Sequence, residues 1–151
     1  MNEDIITEGI IIRGMSPRLE EEISKMYEEM IGLNTHEKIE LDKRLLNECI
    51  CHWDRMINYV KKIPNKEEHP APLILLYGIG ESWGEEHCSL CTVYGKRMCI
   101  GCPLFHYGEW CCDPNSTWAK VHCSMTWKKW LIHAKMMVKV LKKCLKKAGK
   151  R

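Results

Sequence analysis

The placement of the cysteines constrains this chain more than any other feature. Ten cysteines occur in 151 residues, and seven of them lie between Cys88 and Cys123. Four of the seven form two Cys-x-x-Cys pairs, Cys88 with Cys91 and Cys99 with Cys102. Two pairs this close in the chain can converge on one ion, because four thiolates close the tetrahedral shell of a structural zinc site. The sequence therefore predicts a metal site with these four cysteines as its ligands.

Disulfides are the alternative use of closely spaced cysteines. The chain begins Met-Asn-Glu-Asp, without the basic start of an export signal, so we expect a cytoplasmic location where thiols stay reduced. Zinc is the expected ion, since cysteine-only sites select it there. An iron–sulfur cluster is the alternative cofactor, because a cysteine followed by proline, as in Cys102-Pro103, also occurs in ferredoxin-type sequences.

Further donors follow the two pairs and could build a second ion site or replace one ligand of the first. They are Cys111, Cys112, Cys123, His106 and His122. Neighbouring cysteines do not easily place both sulfurs on one tetrahedron, so one of Cys111 and Cys112 is expected to coordinate. For the two histidines the alternative is an ordinary surface or hydrogen-bonded side chain.

The sequence gives little support to catalysis. Four sulfur ligands leave no open position on the ion, whereas a catalytic zinc keeps one. The chain lacks the His-x-Glu of nucleotide deaminases and the His-Glu-x-x-His helix of zinc proteases. A non-catalytic protein is expected, and a nuclease that uses His87 or His122 beside a structural zinc is the enzymatic alternative.

Hydrophobic periodicity predicts a mainly α fold with minor β structure, in a single domain that spans residues 1–151. The expected elements are a strand or arm at 5–14, helices at 17–31 and 35–63, a buried strand at 73–77, an ion-organised loop region at 83–123 and a basic helix at 125–148. An Asn34…Glu37 pattern resembling a capping box begins the 35–63 helix, and Pro64 ends it. Cys49 falls on the apolar stripe of this helix and is interpreted as a small buried hydrophobic residue.

Charge is distributed very unevenly along the chain. Residues 114–151 carry +11 and no acidic residue, whereas residues 1–113 carry −8, for a net charge of +3. The basic helix places its lysines on one face, opposite an apolar stripe that includes Trp127 and Trp130. The stripe is expected to pack on the acidic helices at 17–31 and 35–63, and the alternative to binding is that the lysines are only a solvated face. The residues predicted to contact a partner are Lys128, Lys135, Lys139, Lys142, Lys143, Lys146, Lys147 and Trp118.

Between Leu45 and Trp118 the order of motifs resembles small cysteine-rich proteins of bacteriophages and prophages, a family without an assigned activity. The shared pattern is a helix with His52-Trp53, a Cys-x-x-Cys pair, a Cys-x-x-Cys-Pro-Leu pair and a further cysteine at Cys111 or Cys112. The resemblance implies a virus-type intracellular protein with a metal site. It transfers no catalytic residue and does not include the basic helix.

Three functions compete at this point. The first is nucleic-acid binding through the lysine face, with Trp118, Trp127 and Trp130 available for base stacking. The second is a regulator or inhibitor that binds an acidic host protein, such as a defence or transcription enzyme, with the tryptophans as anchors. The third is an iron–sulfur redox or sensor protein. No apolar run is long enough for a membrane span.

Overall fold

The computed structural model describes residues 6–7, 10–11, 32–95 and 98–148, and within them the chain is mainly helical, as predicted. The elements in chain order are β1 (Ile6–Thr7), β2 (Ile10–Ile11), α1 (Thr35–Val60), α2 (Pro72–Ile79), a 3-10 turn (Glu85–His87), α3 (Ser89–Tyr94), α4 (Pro103–His106), α5 (Thr117–His122) and α6 (Trp127–Ala148). The predicted helix at 17–31 lies outside the described residues. The predicted arm at 5–14 contains the antiparallel pair β1–β2, in which the backbone of Ile6 pairs with that of Ile11.

Helix α1 begins where the sequence predicts. The Asn34 side chain accepts a hydrogen bond of 2.8 Å from the Glu37 amide and so caps the first turn. The last helical residue is Val60, three residues before the predicted end and four before Pro64. One face of α1 is buried along its whole length, from Lys38 to Val60.

The core forms where α1 packs against the basic helix α6. Trp127 and Trp130 of α6 are both buried, and Trp130 stacks on Trp53 of α1 with ring centroids 6.2 Å apart. Trp83 closes the group, 5.6 Å from Trp130. The apolar stripe of α6 is therefore internal, which turns the lysines of this helix towards solvent.

The predicted buried strand at 73–77 is wrong, because these residues lie in helix α2. Pro72 occupies the first turn, where its missing N–H costs nothing, and Gly80 ends the helix at a φ of +73°. Only Leu75 of this helix is buried, while Leu73 is 61% exposed. The apolar run thus forms one short helix held by a single core side chain.

The helices of the described segments include none that is both long enough and apolar enough to cross a membrane.

Candidate metal centre

The first cysteine pair is formed by the start of helix α3. Cys88 is the residue before the helix, and Cys91 lies within its first turn. The Cys88 carbonyl accepts the amide of Thr92 at 3.0 Å and its hydroxyl at 3.1 Å. These bonds fix the turn that places both sulfurs on the same side of the chain.

The second pair is held by an unusual backbone turn. Met98 and Cys99 have φ values of +58° and +66°, and Gly101 has +93°. Left-handed non-glycine residues cost about 1–3 kcal/mol each and persist only where surrounding contacts impose them. The Cys102 amide closes the turn on the Cys99 carbonyl at 3.0 Å, and Pro103 then begins α4. The glycine therefore serves the tight turn that the sequence predicts.

The four predicted ligands converge on one place. Cys88, Cys91, Cys99 and Cys102 all line a small cavity of about 10 Å³, and Cys111 lines it with them. A larger cavity of about 300 Å³ adjoins it and shares all of these cysteines except Cys102. The structure thus brings together thiols that lie as far as 23 residues apart in the sequence, from Cys88 to Cys111.

Cys49 also belongs to this group, which the sequence analysis missed. Its sulfur lies 4.0 Å from the Cys88 sulfur, and it lines the larger cavity. It is buried on the apolar face of α1, as predicted, but that interpretation omits its thiol neighbours. The six-thiol cluster is defined here as Cys49, Cys88, Cys91, Cys99, Cys102 and Cys111.

Hydrogen bonds in the cluster favour a thiolate at Cys88. Thiols of Cys49 and Cys91 and the backbone amides of Cys91 and Leu90 donate to its sulfur, and together they hold the Cys88 pKa well below its usual value despite burial. The pKa values of Cys49 and Cys91 rise, first because each donates to Cys88 and then because both are buried. Burial raises the pKa of Cys102 to about 12 and raises that of Cys111 as well.

Backbone amides reach three sulfurs of the cluster. Ser89 and Leu90 donate to Cys49, Leu90 and Cys91 to Cys88, and the first residues of α4 to Cys102. Amide donors of this kind stabilise negative sulfur, which is the form that binds metal. The donor set therefore suits a soft, thiolate-bound ion such as zinc.

Trp110 adds a further donor at the wall of both cavities. Its indole N–H is buried and has no partner at hydrogen-bonding geometry within the described residues. Burial raises the pKa of the Cys99 thiol, and the interaction with Trp110 opposes this rise. A thiolate at Cys99 would give this orphaned donor an acceptor.

A buried polar network ties α1 to both cysteine pairs. The Asp42 carboxylate is fully buried and accepts hydrogen bonds from Lys38 at 2.7 Å and from the Tyr94 hydroxyl. Lys38 also donates to the Gly101 carbonyl at 3.0 Å. Since Tyr94 follows the first pair and Gly101 lies inside the second, this network holds the two pairs against the same helix.

The sulfurs are gathered but not closed into a coordination shell. Within residues 32–95 and 98–148, no group of three or more His, Cys, Asp or Glu side chains forms a ready-made metal site. Coordination by the cluster therefore requires its sulfurs to draw closer together than they lie in this structure.

The remaining predicted donors have different positions. Cys112 is exposed and lines only the larger cavity, whereas Cys123 and His122 are exposed and line neither of these two cavities. The His122 ring stacks on Trp118 at 5.1 Å and accepts the Trp83 indole N–H at 3.4 Å. His106 is half-buried against Phe105.

His52 is a second residue whose surroundings the sequence does not reveal. It is buried, lines the larger thiol cavity, and its Nδ1 lies 2.9 Å from the Glu81 carboxylate. Arg55 donates to the same Glu81 oxygen at 2.9 Å. These three side chains also line a surface groove of about 510 Å³ together with Cys51, which is exposed. The spacing of Cys49 and His52 on one helix face is the only sequence signal for this arrangement.

The lysines of α6 form a continuous charged surface. Lys128, Lys129, Lys135, Lys139, Lys142, Lys143, Lys146 and Lys147 are all exposed, and they are defined here as the lysine face. The ion pairs of the described residues involve other side chains, namely Lys38, Lys43, His52, Arg55 and His87 with their carboxylates. Lys147 lies over the Tyr107 ring at 4.9 Å.

The tryptophans near the lysine face are not free to stack on bases. Trp127 and Trp130 are 1% and 0% exposed, so the predicted use of these two rings for stacking or as anchors is wrong. Both rings lie on the apolar stripe of α6 and are part of the hydrophobic core. Trp118 is half-buried, and its indole N–H donates to the Trp83 carbonyl at 2.9 Å.

Comparison with known proteins gives no match: no family model, no curated protein and no solved structure is similar to this chain.

Proposed function

We propose that this chain is a non-catalytic, zinc-stabilised protein that binds nucleic acid through the lysine face of α6. The observation that carries the proposal is that α6 packs its apolar stripe into the core while all eight lysines of its other face are exposed. None of these eight lysines forms an ion pair within the part of the chain that the structure describes, so their charge stays available to a phosphate backbone.

Zinc is the expected ion for the six-thiol cluster. The cluster supplies sulfur donors, and backbone amides already reach three of them. A thiolate-rich set favours zinc or an iron–sulfur cluster over ions that prefer oxygen. Bound zinc would tie α1, α3 and α4 together and so add its binding free energy to the stability of the fold.

The expected binding is to the phosphate backbone and has little sequence preference. Lysine is a flexible point charge that contacts phosphates, whereas arginine supplies the two-bond contacts that read guanine. The buried tryptophans remove base stacking as a major contribution. Affinity should therefore come mainly from release of counterions, which makes it strongly dependent on salt.

Charge reversal tests the proposal. We expect the variant with Lys142, Lys143, Lys146 and Lys147 all changed to Glu to keep its helical circular dichroism and to lose binding to labelled DNA and RNA. The smaller variant Lys142→Glu/Lys143→Glu has a matched control in Lys61→Glu/Lys62→Glu, since both are pairs of exposed neighbouring lysines. Unchanged affinity in the α6 variants, or equal loss in the control, refutes nucleic-acid binding by this face.

Protein binding is the second candidate, because Ile132 and Met136 are 54% and 46% exposed between the lysines of α6. Apolar side chains among positive charges suit an acidic protein surface better than a phosphate backbone. Ile132→Ser/Met136→Ser separates the two candidates, since it should weaken protein binding and leave nucleic-acid affinity unchanged.

A further inference from the structure

We propose that the six-thiol cluster is a binuclear site, in which two zinc ions share thiolates and Cys49 supplies the sixth sulfur. This inference rests on the proposal that the cluster binds zinc, and it goes beyond the four ligands of the two Cys-x-x-Cys pairs. It assigns a metal-binding role to a cysteine that belongs to no motif in the sequence.

The number of sulfurs is the first argument. One tetrahedral ion uses four thiolates and would leave two of the six sulfurs beside it without a metal. Two tetrahedral ions need eight metal–sulfur bonds, and six sulfurs provide eight bonds when two of them bridge both ions. The cluster therefore matches the requirement of two ions with two shared thiolates.

The two adjoining cavities give the second argument. Cys102 lines only the small cavity, the buried Cys49 and the exposed Cys112 line only the larger one, and the other four cysteines of the cluster line both. Each cavity thus has a sulfur of its own and a set of sulfurs in common with its neighbour. Cys88 belongs to the shared set, and its sulfur lies 4.0 Å from that of Cys49.

The position of Cys49 is the third argument. Zinc–sulfur bonds of about 2.3 Å place two thiolates of one tetrahedron about 3.8 Å apart. The Cys49 and Cys88 sulfurs are 4.0 Å apart, so a small movement brings both onto one ion. The amides of Ser89 and Leu90 donate to the Cys49 sulfur, as other amides do at Cys88 and Cys102. Cys49 therefore has the surroundings of the predicted ligands and differs from a cysteine that only fills the core.

Titration of the reduced, metal-free chain with Co²⁺ under nitrogen counts the metal sites. Each thiolate-bound Co²⁺ adds sulfur-to-metal charge-transfer absorption, and Zn²⁺ added afterwards displaces the Co²⁺ and removes this absorption. We expect the absorption of the unaltered chain to rise up to two equivalents of Co²⁺. Cys49→Ser should stop at one equivalent, and the affinity of the altered site should fall at least about tenfold. Cys49→Ala provides a second variant that adds no polar group to the buried helix face.

Cys144 is the matched control, because Cys49 and Cys144 are each 2% exposed and Cys144 is not among the residues that line the two cavities. Cys144→Ser and Cys144→Ala should therefore keep two equivalents. A single equivalent in the unaltered chain, or two equivalents in both Cys49 variants, overturns the binuclear site. If the unaltered chain takes up no Co²⁺, both the binuclear site and the proposal that the cluster binds zinc are refuted. A chain that does not bind nucleic acid would leave the number of Co²⁺ equivalents unaffected.

Discussion

The sulfur of Cys49 on helix α1 lies 4.0 Å from the sulfur of Cys88, although 39 residues separate them in the chain. This contact joins the cysteine region to the same helix that forms the hydrophobic core with α6. Metal at the cluster would consequently stabilise the whole helical fold as well as the loops around the two cysteine pairs.

Cys88→Ser is expected to lower the stability of the entire chain. Zinc binding contributes about 10–16 kcal/mol to the folding of isolated zinc-finger peptides. Cys88 lines both thiol cavities, and its sulfur lies 4.0 Å from that of Cys49. We expect the variant to unfold at a clearly lower temperature than the unaltered chain, and addition of a zinc chelator to the unaltered chain to reproduce the loss.

Cys51→Ser serves as the control for that experiment, because Cys51 is exposed on the same helix as Cys49. It should unfold at the temperature of the unaltered chain. A Cys88→Ser protein with normal thermal stability would argue against a structural metal at the cluster.

Asp42→Asn is expected to be strongly destabilising, whether or not metal is present. The substitution leaves the Lys38 ammonium buried without its counter-charge, and breaking a buried ion pair in this way costs about 3–5 kcal/mol. Tyr94→Phe removes the hydrogen bond from the hydroxyl to the carboxylate and keeps the charge pair, so it should cost about 1.5–3 kcal/mol. Urea unfolding of both variants measures these losses, and a larger loss for Tyr94→Phe would contradict this ranking.

Helix α2 offers a comparison of two leucines two residues apart. Leu75 is fully buried, so Leu75→Ala should cost about 2–5 kcal/mol. Leu73 is 61% exposed, so Leu73→Ala should change the free energy of unfolding by less than about 0.5 kcal/mol. If these residues formed the predicted buried strand, both leucine side chains would be buried, and both substitutions would lower the free energy of unfolding. Similar losses in urea unfolding would therefore contradict the helix and favour the strand.

The long helices could be predicted from the sequence because their signals are local. Apolar spacing and the Asn34 cap define α1, and the lysine-rich amphipathic pattern defines α6. The strand prediction at 73–77 was wrong because a short apolar run has no clear hydrophobic period. Pro72 in the first turn and Gly80 at the end favour a helix instead. These local end signals outweighed the short apolar run on which the strand prediction depended.

The candidate site was only partly predictable for a related reason. Spacing identifies the two Cys-x-x-Cys pairs, since each pair is a local turn. Cys49 and the His52–Glu81 contact depend on which face of α1 meets the cysteine region, and that follows from the packing of the whole core. The burial of Trp127 and Trp130 agrees with the packing that their place on the apolar stripe predicts.

Glu81 should make a small contribution to the loss of stability in acid. Burial alone would raise its pKa, but hydrogen bonds from Arg55 and His52 outweigh burial and hold the pKa below its usual value. A carboxyl with a lowered pKa stabilises the fold above its unfolded pKa of about 4.3, and this stabilisation is lost as the pH falls through the folded pKa. Because Arg55 is exposed, we expect a contribution of no more than about 1 kcal/mol.

Glu81→Gln provides the comparison for this pH dependence. The unaltered chain should unfold at a higher temperature than the variant at pH 7, and the difference should shrink as the pH falls from about 5 to 3. Glu48→Gln, an exposed change in the same groove, should leave the pH profile unaltered. A difference that stays constant down to pH 3 would show that the ionised carboxylate is not the source of the stabilisation.

Elemental analysis together with an absorption spectrum, on protein purified without oxygen, tests the central claim most directly. The six-thiol cluster predicts bound zinc in a colourless solution, with two ions per chain if Cys49 completes a binuclear site. Iron with visible absorption would contradict the claim and favour the iron–sulfur alternative. Protein that holds no metal, and takes up no zinc when zinc is supplied under reducing conditions, would show that the cluster is not a metal site.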